Sequence, residues 1–335
     1  MLSSKFFLFL GKMVSINSPV NGLLENVSFD FKSFEFADGG KPNLVHVKID
    51  HIYDKPDLLR FNNQSQNIKT YNGKVFYEYK NCRYINYYDE LLLKINFDSE
   101  AIKIFSKNDI LTREIIYLAT LSRVGKMLDI DGIHRLHSMC VYNEKKNFIL
   151  VGASGIGKST LCLNLLNSKN NLKYSSDDIT LVSAQDRFHF PLRLGFKDQN
   201  KLLKYDKGYT SNFVRTNHDV KYLLRADFFY DKNQDKKKRE DIIFLHRDSK
   251  TSSLGKSKRI EIYQDLFLYF ILGVGTPQVL ELFWEFGIKD FWTKIKIFLM
   301  RIWAAFNLIS NSKFYTIYGS NEKETLNHVL RFIQQ

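Results

Sequence analysis

The sequence predicts an α/β fold preceded by a small β-rich segment. Three observations carry this. Residues 1 to about 105 show short apolar–polar alternation typical of strands. From about Asp109 onward, stretches with helical spacing alternate with short apolar runs. One glycine-rich turn, starting at Gly152, stands between such a run and such a helix. The expected division is 1–105 as a β-rich accessory domain and 106–335 as the α/β domain.

The elements follow in order. Lys74-Val-Phe-Tyr-Glu-Tyr-Lys80 and the run 91–97 read as strands, separated from earlier ones by a turn at 38–42 and a polar loop at 62–67. Ile115, Ile116, Leu118, Leu121, Val124 and Leu128 recur at helical spacing, so 110–128 is expected to be a helix. Residues 133–142, a polar turn at 143–147 and Phe148-Ile-Leu-Val151 read as a hairpin feeding a buried strand. Helix is expected at 161–166, strand within 173–182 and strand at Asp241-Ile-Ile-Phe-Leu245. Two helices at 260–272 and 277–309, a short strand at 315–318 and a last helix from Glu322 complete the chain.

Composition excludes several classes. With 44% apolar and 25% charged residues, the 335-residue chain is neither disordered nor a repeat rod. Lys and Arg number 49 against 36 Asp and Glu, a balance of +13 that suits an anionic partner without naming one. The basic run at 232–239 reads as a solvated loop, and nucleic-acid binding, which would rest on charge alone, is not expected. Cys82, Cys140 and Cys162 are odd in number and lack zinc spacing, which points to a reducing compartment. The apolar stretch Phe6-Phe-Leu-Phe-Leu10 is too short for a secretory signal. Residues 291–309 are interrupted by Lys294, Lys296 and Arg301, so no membrane span is expected and the location is expected to be cytoplasmic. That stretch has apolar residues at 291, 295, 298, 299, 302, 306 and 309 with Lys and Arg opposite, and reads as a helix packing that face on its domain, the alternative being a membrane-surface or peptide-docking helix.

The chemistry concentrates in one place. Gly152-Ala153-Ser154-Gly155-Ile156-Gly157-Lys158-Ser159 fits G-x-x-x-x-G-K-[ST], the P-loop pattern, and Thr160 follows. Glycines let backbone N–H groups turn inward toward phosphate oxygens, and a following helix N-terminus adds positive dipole. Lys158 would reach the β- and γ-phosphates, and the Ser159 hydroxyl would ligate Mg²⁺. Asp177 and Asp178 stand about twenty residues past Lys158. On an extended segment adjacent side chains point opposite ways, so one carboxylate would hold metal and the other accept a hydroxyl proton. His137, in Leu136-His-Ser-Met-Cys140, lies fifteen residues before Gly152 on the hairpin strand beside the one that feeds the loop.

Together, His137, the loop and the aspartate pair resemble the kinase domain of HPr kinase/phosphorylase. The resemblance is nearer to the HPr-kinase-like proteins of peptide biosynthetic clusters, lasso-peptide kinases among them. It rests on the helix before Leu136-His-Ser, the GKST form of the loop and Phe190-Pro-Leu-Arg193, and it covers roughly 108–335. It implies a P-loop core of the HPr-kinase/PEP-carboxykinase-like type, with ATP and Mg²⁺ as cofactors. Residues 152–160 would bind the phosphates, and Ser159 and Asp178 would hold Mg²⁺. Asp177 would be the base toward a serine hydroxyl, with the order of the two aspartates left open. His137 would stabilise charge near the γ-phosphate, and Arg193 would contact substrate. The implied partner is a peptide or protein with an acceptor serine, a ribosomally made precursor in particular. A homo-oligomer is compatible with this.

One departure matters. The family's acidic-isoleucine-arginine-glycine signature has no match, Leu192-Arg-Leu-Gly195 being a poor echo. Phosphorolysis, HPr as substrate and a hexamer are therefore not expected. Two alternatives stay open: a small-molecule hydroxyl kinase, and a P-loop ATPase or nucleotide switch that transfers nothing. An ABC-type ATPase would need an LSGGQ-like signature and an acid at the other end of 241–245. His246-Arg-Asp248 lacks the companion motifs of eukaryotic protein kinases.

Overall fold

A computed structural model describes residues 2–36, 42–55, 69–71, 73–79, 82–168, 170–214, 219–230, 239–247, 253–285, 288–319 and 321–334. The fold is mixed α/β with several sheets, in line with the α/β class expected from the sequence. The loop at 62–67, residues 38–41 of the expected turn and residues 232–238 of the basic run lie outside the described residues.

The chain divides into two units. The first comprises Met1–Met127, Asn212–Lys221 and Gln278–Glu285. Its strands are β1 (Ser3–Phe9), β2 (Lys12–Ser18), β3 (Val47–Ile52), β4 (Lys69–Tyr71), β5 (Lys74–Tyr79), β6 (Cys82–Tyr87), β7 (Leu91–Asn96) and β8 (Ala101–Ser106). They form one sheet in the order β1-β2-β3-β8-β7-β6-β5-β4, in which β2, β3 and β8 run parallel. Alternation sets the faces: Val47 and Ile49 of β3, with Ile102 and Ile104 of β8, turn inward. The helix Asn21–Asp30 buries Leu23, Leu24 and Val27.

The helix Asp109–Ile130 explains why the break falls at Met127 and not near 105. Arg113 grips both carboxylate oxygens of Asp30 at 2.8 Å, and Tyr117 stacks on Phe31 with centroids 5.2 Å apart. Arg123 bonds Glu100 and also reaches Glu285 at 2.9 Å. Most of this helix is thus tied to the first unit by charge pairs that helical periodicity does not reveal.

The second unit comprises Leu128–Ser211, Tyr222–Pro277 and Phe286–Gln335. Four strands here are β9 (His134–Leu136), β10 (Ser138–Tyr142), β11 (Lys146–Gly152) and β12 (Lys173–Ser176). The following ones are β13 (Thr180–Val182), β14 (Arg187–Phe188) and β15 (Leu194–Phe196), while β16 (Thr210–Val214) and β17 (Val220–Leu224) each fall partly in either unit. The last are β18 (Arg239–Arg247), β19 (Ser253–Lys256) and β20 (Ser312–Gly319). The main sheet has the order β12-β10-β11-β18-β20-β19, with β11, β18 and β20 parallel. Two smaller sheets, β14-β13-β9 and β15-β17-β16, complete the strand pairing.

Helices cover both faces of that sheet, as a parallel core requires. Phe148 and Leu150 of β11 pack with Leu161, Cys162 and Leu165 of the helix Lys158–Leu166. Ile149 and Val151 face the other layer, with Phe270, Ala304, Ala305 and Leu308. Register puts Gly152 opposite Leu245 and Phe148 opposite Asp241, so Asp241 lies at the far end of β18 from the glycine-rich loop.

The helix Ile288–Asn311 departs from expectation. Its inward residues include Ile297, Arg301, Ala304, Ala305 and Leu308, whereas Phe291, Phe298, Leu299 and Phe306 are exposed. The reason is a buried anion. Asp129 accepts from Arg301 at 2.7 and 3.2 Å, from His134 Nδ1 at 2.9 Å and from Arg135 at 3.2 Å. Burial alone would raise the Asp129 carboxyl, but Arg301, Arg135 and His134 hold it well below the usual carboxylate range. One ionic demand therefore outweighs the apolar stripe in setting which side of the helix faces in.

Removing one partner leaves the others buried and uncompensated. Asp129→Ala is expected to lower unfolding stability by about 3–5 kcal/mol, read by urea denaturation of the full chain.

Candidate functional site

The site begins with β11, whose apolar residues 148–151 are buried and whose C-terminal end opens into the turn before the helix Lys158–Leu166. Gly155 and Gly157 have φ of 80° and 103°, values an L side chain rarely adopts, which is why the turn needs glycine there. Gly157 caps the helix in the left-handed conformation. Ile156 packs on the core cluster and anchors the turn from beneath.

Lys158 is buried and bends back over the turn. Its Nζ donates to Gly152 O at 2.8 Å, Ala153 O at 3.1 Å and His137 Nε2 at 2.9 Å. Burial lowers its affinity for a proton, while the charges of Asp178 and Asp177 act in the opposite sense.

His137 occupies the single residue between β9 and β10, not the hairpin strand itself. Its backbone N–H donates to Tyr269 O at 3.2 Å. Its Nδ1 lies 3.0 Å from Asp178 O, a carbonyl that can only accept. The network therefore assigns the proton to Nδ1 and leaves the Nε2 lone pair for Lys158. Burial, with the Lys158 charge added, pushes the imidazole down to about 4, against a smaller opposing effect of Asp178. His137 is thus neutral at pH 7. Ser154 Oγ sits 3.5 Å from the same Nε2.

Gly275 closes the other side of the ring. A Cβ at that position would lie 2.5 Å from His137 Cδ2 and 2.7 Å from Nε2, and its φ is +87°. Neither Tyr269 nor Gly275 was singled out from the sequence.

Asp177 and Asp178 link β12 to β13. They do not lie on an extended segment as expected: Asp178 has φ +63°, in the left-handed region, and the pair forms a turn. A hydroxyl chain fixes that turn, with Thr180 Oγ1 2.9 Å from Ser176 Oγ and 2.7 Å from Ser138 Oγ. Asp177 is buried, and its charge acts on both Lys158 and Cys162. Asp178 is partly exposed and holds His137 through its carbonyl rather than its carboxylate.

Strand directions explain the convergence. β11 ends at Gly152, antiparallel β10 starts opposite Val151, and β12 ends beside Cys140, so all three deliver residues to one end of the sheet. The structure brings together His137, Gly152, Ala153, Ser154, Lys158 and the Asp177–Asp178 turn. Thr160 Oγ1 instead accepts from Lys201 Nζ at 2.8 Å, a partner the sequence did not signal. Ser159, partly buried, is on the first turn of the same helix.

Arg193 stands apart from the bonds of His137 and Lys158. It follows a stretch that runs beside 174–176, with Phe190 N–H donating to Ser175 O at 3.1 Å and Tyr174 OH to Leu192 O at 2.6 Å. Arg225 pairs with Asp227 at 2.9 Å. His246 pairs with Asp265 at 3.0 Å, and Asp248 lies outside the described residues. The three cysteines are buried thiols.

In comparison with known proteins, no protein-family model and no curated protein matches this chain.

Two predictions come from His137. The unfolded imidazole titrates near 6.5 and the folded one near 4, so only the unfolded chain takes the proton between those values. The contribution of His137 to stability is complete above 6.5 and lost as pH falls through that window. Urea unfolding across pH 4–7 is expected to show this slope in the wild type and a shallower one in His137→Gln. Gly275→Ala adds a left-handed side chain and a clash with the ring. It is expected to lower stability by about 1–3 kcal/mol and to displace the His137 imidazole resonances in NMR spectra.

Proposed function

We propose that the chain is a Mg·ATP-dependent kinase with an HPr-kinase-like P-loop core, transferring the γ-phosphoryl group to a serine hydroxyl of a peptide or protein. A ribosomally made precursor is the expected acceptor class. One observation carries the reading. A buried ammonium, a neutral histidine and an aspartate turn converge on a glycine-rich loop that opens a helix.

The residues suit such a substrate. The loop N–H groups and the N-terminus of the helix Lys158–Leu166 provide positive potential for phosphate oxygens. Ser159, Asp177 and Asp178 offer hard oxygen donors of the type Mg²⁺ takes. Among the described residues no three His, Cys, Asp or Glu side chains form a metal cluster of their own. That fits an ion held by one or two carboxylates and the nucleotide phosphates. Ser159 and Asp178 would hold it, and when bound it would neutralise phosphate charge.

The protein's own groups do the rest. Lys158 has backbone carbonyls and a lone pair as partners, so it is an ammonium that phosphate oxygens can recruit without breaking an ion pair. His137, neutral, keeps the Lys158 charge single and in place. The acceptor oxygen bonds to the γ-phosphorus as the bond to the β–γ bridging oxygen breaks, and the hydroxyl proton passes to a carboxylate. Asp177 has that role by the resemblance. Its burial means a serine would meet it only within a closed site, whereas Asp178 is nearer the surface.

The test is transfer from Mg·[γ-³²P]ATP to peptides and small proteins of the host. Wild type is expected to label a serine, and Lys158→Ala and Asp177→Asn to lose about 10²–10⁴-fold in rate. Equal labelling by these variants would end the reading. Phosphate release without any labelled acceptor would favour an ATPase, and label on a metabolite a small-molecule kinase.

A further inference from the structure

The helix Ile288–Asn311 presents aromatic residues on the side that does not pack. Trp292 is 61% exposed, Leu299 58%, Trp303 64% and Phe306 57%. Steps of seven, four and three residues put these on one stripe of the helix. The segment 267–274 packs against the inner side of the helix, where Phe270 joins Ala304 and Leu308 and Arg301 Nη1 donates to Ile271 O at 2.9 Å. That segment in turn leaves Phe267, Leu272 and Val274 exposed. Isolated apolar residues on a surface need no explanation, but a continuous stripe beside a second exposed apolar segment does.

The exposed charge on and beside the stripe is mainly basic, with Glu261, half-buried in the first turn of the helix Arg259–Leu266, as an acid among it. Lys296 lies within it and is exposed. The only acidic residue of the helix, Asp290, is buried and paired with Lys294. Lys256, Lys258 and Arg259, where the neighbouring helix Arg259–Leu266 begins, are exposed as well. The whole chain carries +13.

We propose that this face docks on an anionic lipid bilayer, the helix Ile288–Asn311 lying in the headgroup plane. Trp and Phe rings prefer that depth, between water and hydrocarbon. Lys296 can leave its stem among the apolar side chains and carry its ammonium to a lipid phosphate. A second copy of the chain suits the face less well. A two-fold contact along the stripe would bury Lys296, and the helix has no free acid to answer it. Docking would be peripheral, since no described helix is long and apolar enough to cross a membrane. The same segment reaches the candidate site: Tyr269 O accepts from the His137 N–H, and Gly275 lies against its ring.

The test is flotation of the full chain with vesicles of phosphatidylcholine containing about one-third phosphatidylglycerol. The wild type is expected to float with them, to show blue-shifted tryptophan fluorescence, and to be released by salt. Trp303→Ser with Phe306→Ser changes exposed side chains only. It is expected to reduce the bound fraction at least about tenfold with an unchanged thermal midpoint. Lys296→Glu is expected to weaken binding to the anionic vesicles in particular. Failure to float at low salt overturns the proposal. So does a dimer in sedimentation that Trp303→Ser splits, because the face then belongs to a second copy.

Discussion

A buried ammonium has to find acceptors, and the way Lys158 finds them organises the candidate site. Its three bonds join the end of β11, the turn after it and the imidazole of His137. His137 passes the constraint on, because only a ring protonated at Nδ1 satisfies both Lys158 and the Asp178 carbonyl. A carboxylate partner would have locked the ammonium into an ion pair. Carbonyls and a neutral ring hold it while leaving its charge available to an anion.

The second constraint is Asp129. A buried carboxylate requires donors around it: His134 and Arg135 follow Asp129 closely in the chain, whereas Arg301 comes from 172 residues away. Arg301 is drawn inward by this, although the apolar pattern of its helix would have put it outside. Two consequences follow from one buried charge. The loop that touches His137 is pinned to the helix through Arg301 and the carbonyls of Phe270 and Ile271. The aromatic side of the helix is turned out.

Legibility in the sequence tracks how local each determinant is. The turn 152–160 is specified by its own glycines and by the strand and helix around it, so it is readable without tertiary knowledge. His137 and Asp177 are readable through spacing, since β10 starts where its antiparallel neighbour β11 ends and β12, antiparallel to β10, ends there too. The left-handed φ of Asp178 was not, because two aspartates before an apolar run look the same whether extended or turned. Gly275 was not either. Its partner is 138 positions away in the chain (275 − 137), and no periodicity connects them. The helix Ile288–Asn311 is legible as a helix but not as to its packed side, because its partner Asp129 is 172 residues away from Arg301. The break between units moved for the same reason, through Arg113, Arg123 and their acids.

The central claim is that the Lys158–His137 pair forms part of a site for a nucleoside triphosphate. Imidazole ¹⁵N chemical shifts of His137 during titration with Mg²⁺ and a non-hydrolysable ATP analogue test it most directly. The expected result is a free ring protonated at Nδ1 alone, and a saturable change at Nε2 as phosphate oxygens draw Lys158 away. An Nε2 signal that stays unchanged at millimolar nucleotide would contradict it.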